Sequence, residues 1–105
     1  MKRILFAAAA GAAVSGACYA AVVHTVDQRG LAFSVARMTI RKGEVVRFSN
    51  HDATPHNILI SAGGKLINSG LQQPGVDFKA PFARSGAYQV TCGIHPKMKM
   101  EVVVE

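Results

Sequence analysis

The stretch Cys92-Gly93-Ile94-His95-Pro96-Lys97-Met98 brings a thiol, an imidazole and a thioether into one short segment near the C-terminus. A second imidazole, His56, lies far upstream in Thr54-Pro55-His56-Asn57. All four side chains offer nitrogen or sulfur, which are donors for a soft or borderline metal ion. The sequence therefore predicts a metal site built from two distant segments. Its candidate ligands are His56, Cys92, His95 and Met98.

Two imidazoles, one thiolate and a weak thioether are the donor set of a type 1 (blue) copper centre that transfers electrons. Soft sulfur suits Cu(I) and imidazole suits both oxidation states, so one site serves both. Cys92 has two other possible interpretations: a buried structural thiol, or a nucleophile assisted by His95. Neither explains His56 and Met98, so a single type 1 copper is the prediction.

The thioether ligand has two candidates. Met98 has the shorter spacing from Cys92, and Met100 the longer one. Met100 is in phase with Val102 and Val104 in a predicted strand, so it is expected to fill the core. This favours Met98 as the axial ligand and leaves Met100 as the alternative.

The first twenty residues are typical of a secretory signal peptide. A basic start, Met1 to Arg3, precedes an apolar run from Ile4 to Val14, and small residues follow up to Ala20. We expect cleavage after Ala20, a single domain over residues 21–105, and export to a bacterial periplasm. Lipidation at Cys18 is the less favoured alternative.

The charge and cysteine content exclude several classes of protein. Without Lys2 and Arg3, ten Lys and Arg face six Asp and Glu, a net charge of +4, and these residues are scattered along the chain. A nucleic-acid-binding stripe or a polybasic membrane segment would cluster them. After cleavage Cys92 would be the only cysteine, so no internal disulfide is expected.

Short runs rich in Val, Ile, Phe and Tyr alternate with Gly, Asn, Asp and Pro clusters, which predicts an all-β sandwich of short strands. The predicted strands are Ala21–Val26, Ala32–Val35, Met38–Arg41, Val45–Ser49, Asn57–Ile60, Lys65–Asn68, Val76–Lys79, Gly86–Cys92 and Lys99–Val104. If each connection from Val45–Ser49 onward reverses direction, the strand Gly86–Cys92 finishes at the end of the sandwich where His56 lies. The candidate ligands can then meet there.

The sequence resembles the cupredoxins, small blue-copper proteins that include plastocyanin, azurin and, most similar here, the amicyanin group. Asn50 to Asn57 is similar to the Asn…Pro-His-Asn loop of that group, and Gly86 to Cys92 to its Gly-x-Tyr-x-x-x-Cys strand. Cys92 to Glu105 resembles its short Cys-x-x-His-Pro-x-Met loop and its Val-Val-Val-Glu ending. Gly93-Ile94 stands where that group more usually has Thr-Pro. The likeness covers roughly Met38 to Glu105.

The resemblance implies a Greek-key β-sandwich of cupredoxin type and a role for Asn57 beside the ligands, tying the two ligand loops together. It implies a monomeric electron carrier, not an enzyme, whose partners are redox proteins such as a c-type cytochrome or a periplasmic dehydrogenase. Amicyanin-like function would point to an amine dehydrogenase. The alternatives are a periplasmic protein for copper delivery or resistance and an exported thiol enzyme.

Overall fold

The structure is a computed structural model that describes residues 22–105, and the predicted signal peptide with its cleavage site lies outside them. The described residues form eight strands and no helix. None of their elements is a helix long and apolar enough to cross a membrane. The strands are β1 Val23–Gln28, β2 Arg37–Ile40, β3 Val45–Asn50, β4 Ile58–Ala62, β5 Lys65–Asn68, β6 Phe78–Pro81, β7 Gly86–Cys92 and β8 Lys99–Val104.

Two sheets make up the sandwich. One has the strand order β1-β3-β6 and the other β2-β8-β7-β4-β5. β1 runs parallel to β3 and β2 runs parallel to β8, whereas all other neighbours are antiparallel. The predicted all-β sandwich is therefore confirmed.

The core lies between the sheets and is filled by alternate residues of the strands, because successive side chains of a strand point to opposite faces. In β8, Met100, Val102 and Val104 are buried while Lys99 is exposed. Met100 belongs to the apolar core cluster, as its phase predicts. From the three-stranded sheet, Phe48 of β3 points into this core and is fully buried.

Strand direction brings the ligand segments together. β1, β3 and β7 all finish at one end of the sandwich, where β4 begins, and Ile58 at the start of β4 pairs with Cys92 at the end of β7. We call this the ligand end; the opposite end, where β1 and β3 begin, is the far end. The predicted meeting of the two segments at one end is confirmed.

The predicted strand Ala32–Val35 is wrong. Only Phe33 forms an isolated bridge, to Gln28, and the rest of the segment makes no ladder. Phe33 packs edge-on against Phe48, with ring centroids 6.2 Å apart, which explains the apolar pattern that suggested a strand. The segment instead folds back on the end of β1, where the Ser34 amide donates to the Asp27 carbonyl at 2.8 Å.

Candidate metal centre

The candidate ligands sit on three kinds of backbone. Cys92 ends β7, where the ladder to β4 fixes its direction. His56 lies just before β4 and forms an isolated bridge with Gln72. His95 lies in the turn between β7 and β8, where the Met98 amide donates to its carbonyl at 2.9 Å. Two ligands are thus set by paired backbone and one by a short loop.

Three donor atoms converge at the ligand end. Cys92 Sγ lies 3.5 Å from His56 Nδ1 and 3.8 Å from His95 Nδ1, and the two Nδ1 atoms are 3.3 Å apart. His56 and Cys92 are buried and His95 is half-buried. These atoms lie within 4.8 Å of one another, close enough for one ion to contact all three. One thiolate and two imidazoles suit copper.

Met98 is buried and lines the same cavity as His95, while Met100 lies in the core. The Cys92 amide donates to the Met98 carbonyl at 3.3 Å, so the ligand turn closes on itself. A shallow cavity of about 380 Å³ opens to the surface beside this turn. Its lining residues are Leu31, Ile94, His95, Pro96, Lys97 and Met98.

The chain matches the model of the family described as "Copper binding proteins, plastocyanin/azurin family" over residues 20–105. It belongs to this plastocyanin/azurin family. It is 32% identical to amicyanin-alpha of Methylorubrum extorquens, with full coverage of both chains. It is 30% identical to amicyanin of Paracoccus denitrificans over 76% of this chain and 63% of that one.

Solved amicyanin structures have the same fold. A reduced amicyanin variant superposes with a TM-score of 0.75 at 26% identity, covering 85% of this chain and 88% of that chain. The cupredoxin fold expected from the sequence is confirmed. Family membership and the converging donors together assign copper as the cofactor of this protein.

In a metal-ligating histidine, the ring nitrogen that faces away from the metal usually has a hydrogen-bond partner, and such a partner is present for His56. Its Nε2 lies 2.8 Å from the Asp52 carboxylate, and its backbone exchanges two hydrogen bonds with Gln72, of 2.9 and 2.7 Å. Burial alone would raise the pKa of Asp52. The hydrogen bonds from His56 and from the amides of Leu31 and Gly30 outweigh it, so the pKa is lowered and the carboxylate stays charged.

Behind His56 lies a buried amide network that the sequence did not predict. The Gln72 side chain donates to the Phe48 carbonyl at 2.9 Å and accepts from Gln28 Nε2 at 2.7 Å. Asn50 donates to the Gln72 and Thr54 carbonyls. Amides are usually exposed, so Gln28 and Gln72 gave no signal, whereas Asn50 belongs to the Asn…Pro-His-Asn loop described above. Their burial behind His56 explains how a loop residue becomes as fixed as a strand residue.

Asn57 touches the site mainly through its main chain. Its amide points at Cys92 Sγ at 3.3 Å, and its carbonyl accepts from the Gly93 amide at 2.8 Å. Its side-chain nitrogen donates to Asn68 Oδ1 at 2.7 Å and to the Gly70 carbonyl at 2.9 Å, while its side-chain oxygen lies close to Gly93 in the turn after β7. The hydrogen bond joining the two ligand loops here is therefore a backbone one.

The remaining histidines lie outside the donor group. His24 is 2.9 Å from Glu44 at the far end, and His51 is 3.5 Å from Asp27. Both are at least partly exposed and contact carboxylates. Neither belongs to the donor group found among residues 22–105.

Proposed function

We propose that this protein is an exported blue-copper electron carrier whose metal is held by His56, Cys92, His95 and Met98. The observation that carries the proposal is the convergence of three donor atoms, 3.3 to 3.8 Å apart, beside a buried methionine. When bound, copper supplies one-electron chemistry by alternating between Cu(II) and Cu(I). The side chains and backbone of the protein position the metal and control its access to water and to partners.

The chain holds the ligands in one arrangement and limits the access of water. His56 and Cys92 are 0% and 1% exposed, and Met98 is 2% exposed. Ligands this enclosed, and set by strand pairing, resist rearrangement when the charge of the site changes. They also favour a resident metal over one that is handed on, which argues against copper delivery.

His95 gives electrons a short route to the surface. Its ring is the half-buried one, and it lines the open cavity together with Ile94 and Pro96. We call the surface formed by Leu31, Ile94, His95 and Pro96 the docking surface. Such a small apolar surface suits a redox encounter, which needs a small, quickly released interface.

The partners proposed are redox proteins of the periplasm. Because two relatives are named amicyanin, an amine dehydrogenase is proposed as a partner, with a c-type cytochrome as the other candidate. Lys97 is exposed and lines the cavity at the docking surface, and the exposed Lys99 follows it at the start of β8. Together with the net charge of +4 expected for the mature chain, they would steer an acidic partner toward it. The carrier is proposed to act as a monomer.

The test is to add Cu(II) to the protein expressed from residue 21 onward and to record the visible spectrum. A blue-copper carrier gives an intense thiolate band that disappears on reduction and returns on oxidation. Cys92→Ser should abolish the band, because a hydroxyl cannot replace thiolate donation. A tight but colourless complex that passes copper to a chelator would support delivery instead. An intense band retained in Cys92→Ser would refute the ligand assignment.

A further inference from the structure

Asp52 connects the proposed copper ligand His56 with Leu31 of the docking surface. It follows β3 and its side chain is 12% exposed. Its Oδ2 lies 2.8 Å from His56 Nε2 and accepts from the Leu31 amide at 3.0 Å. Its Oδ1 accepts from the Gly30 amide at 2.6 Å. One carboxylate therefore joins a ligand histidine to the turn that follows β1.

The turn that Asp52 holds has an unusual backbone. Gly30 and Leu31 have φ values of 66° and 56°, so two successive residues are left-handed. This conformation is unfavourable for a leucine, whose Cβ crowds the following carbonyl. It persists where the surroundings stabilise it, and here both amides converge on one carboxylate. Leu31 is thereby held at the rim of the docking surface.

We propose that Asp52 is a positioning residue that sets two things at once: the orientation and electron donation of His56, and the place of Leu31 in the docking surface. The part that concerns copper rests on the proposed function. The part that concerns the turn rests on hydrogen bonds that exist without metal.

The effect on His56 follows from the two nitrogens of imidazole. Nδ1 faces Cys92 and His95, so a metal-bound neutral ring carries its proton on Nε2. The proton is donated to the Asp52 carboxylate, which fixes the ring orientation and raises its basicity. A more basic ligand beside a negative charge stabilises Cu(II) more than Cu(I). Asp52 should therefore lower the reduction potential.

Substitution separates this role from a merely structural one. Asp52→Asn keeps one oxygen acceptor but removes the charge, so the potential should rise. A tenfold loss in relative Cu(II) affinity corresponds to about 59 mV for one electron. Asp52→Glu keeps the charge and should restore a potential nearer to that of the native protein. The matched control is Asp77→Asn, which makes the same change at an exposed carboxyl.

If Asp52→Asn and Asp77→Asn shift the potential equally, the effect is one of net charge and the role assigned to His56 is wrong. If Asp52→Glu behaves like Asp52→Asn, the position tolerates no substitution for reasons of shape, and the charge argument fails. An Asp52→Asn potential that rises alone, with recovery in Asp52→Glu, supports the proposal.

The hydrogen bonds from the Gly30 and Leu31 amides to Asp52 are tested in the copper-free protein by amide hydrogen exchange. This part of the proposal can therefore be tested even if no blue site forms. In Asp52→Ala the Leu31 and Gly30 amides should exchange about tenfold faster, as expected for losing a hydrogen bond to a charged group. The Gly43 amide, bonded to the Phe82 carbonyl at 2.7 Å at the far end, serves as reference. Unchanged exchange at Leu31, or equal acceleration at Gly43, would overturn this part of the proposal.

Discussion

His56 and His95 face each other across 3.3 Å, yet the protein holds them in different ways. His56 is fully buried, bridges Gln72 through its backbone and contacts Asp52 through its ring. His95 is half-buried in a turn closed by the Met98 amide, and its ring borders an open cavity. One imidazole is fixed by a network and the other is presented to solvent.

This difference shows how a small domain can combine a rigid donor set with access for a partner. The held side, formed by His56, Asp52 and Gln72, should determine metal affinity and potential. The open side, formed by the docking surface, should determine the rate of electron exchange. Substitutions on the two sides should therefore change different measurements.

The largest effect on the potential is expected at Met98, the buried residue proposed as axial ligand. Met98→Gln should keep a coloured site but lower the potential, because an oxygen donor favours Cu(II). Each tenfold gain in relative Cu(II) affinity would lower it by about 59 mV. Met100→Leu is the control and should leave the potential nearly unchanged while costing less than about 1.5 kcal/mol of stability. The opposite result in voltammetry would transfer the axial role to Met100.

On the side of His56, Asn57→Ala should weaken copper binding by about tenfold, because the Asn57 side chain holds in place the main chain that contacts Cys92 Sγ and packs against Gly93. The free energy of unfolding should fall by about 1–2 kcal/mol, because two side-chain hydrogen bonds disappear. The matched control is Asn68→Ala, which removes the same hydrogen bond between the Asn57 and Asn68 side chains by changing Asn68, the partner that lies away from Cys92. Copper titration and thermal unfolding of both variants provide the measurement. Unchanged copper affinity in Asn57→Ala would remove this residue from the site.

On the open side, Ile94→Glu places a charge in the docking surface without altering a ligand. Ile94 is 46% exposed, so the fold should tolerate the change. Electron exchange with the physiological partner should slow by roughly tenfold or more, while colour and potential stay nearly constant. Leu66→Glu, on the exposed β5, makes the same change in net charge elsewhere. Stopped-flow rates that are equal in the two variants would mean that electrons leave by another face.

The smallest effect is expected at the far end, away from both sides. The Arg41 amide and then His24 hydrogen-bond Glu44 and lower its pKa from the ordinary 4.5. A carboxyl with a lowered pKa in the folded state stabilises the fold above pH 4.5, and this contribution is lost as the pH falls below that value. Glu44→Gln should flatten the loss of stability on acidification. The measurement is the urea midpoint of unfolding of both proteins between pH 3 and 6. A midpoint that falls equally steeply with decreasing pH in the native protein and in Glu44→Gln would contradict this prediction.

The sequence was most informative where one pattern determined both backbone and burial. The bounds of β5, β7 and β8 agree with the prediction, because Gly and Pro clusters delimit runs of residues suited to strands. The four cysteine, histidine and methionine candidates could be proposed because their chemistry is rare in combination. The predictions for β1, β4 and β6 began one or two residues too early, since strand ends depend on pairing with distant residues.

The supporting residues could not be predicted for a different reason. Gln28, Gln72 and Asp52 are ordinary polar residues whose roles exist only after three segments that are distant in the sequence meet at the ligand end. Leu66 and Ile67 illustrate the converse, since they fit the strand pattern yet are exposed on the edge strand β5. Local pattern gives periodicity, whereas burial depends on which strand becomes an edge.

The strand directions also decide how the molecule can be attached to something else. β1 begins and β8 finishes at the far end, so Val22 and Glu105 both leave the sandwich there. A lipid, an affinity tag or a chemical linker to an electrode, joined to either terminus, would therefore orient the molecule with His95 and its apolar surroundings facing outward. Immobilised protein could then exchange electrons with a soluble partner without first having to reorient.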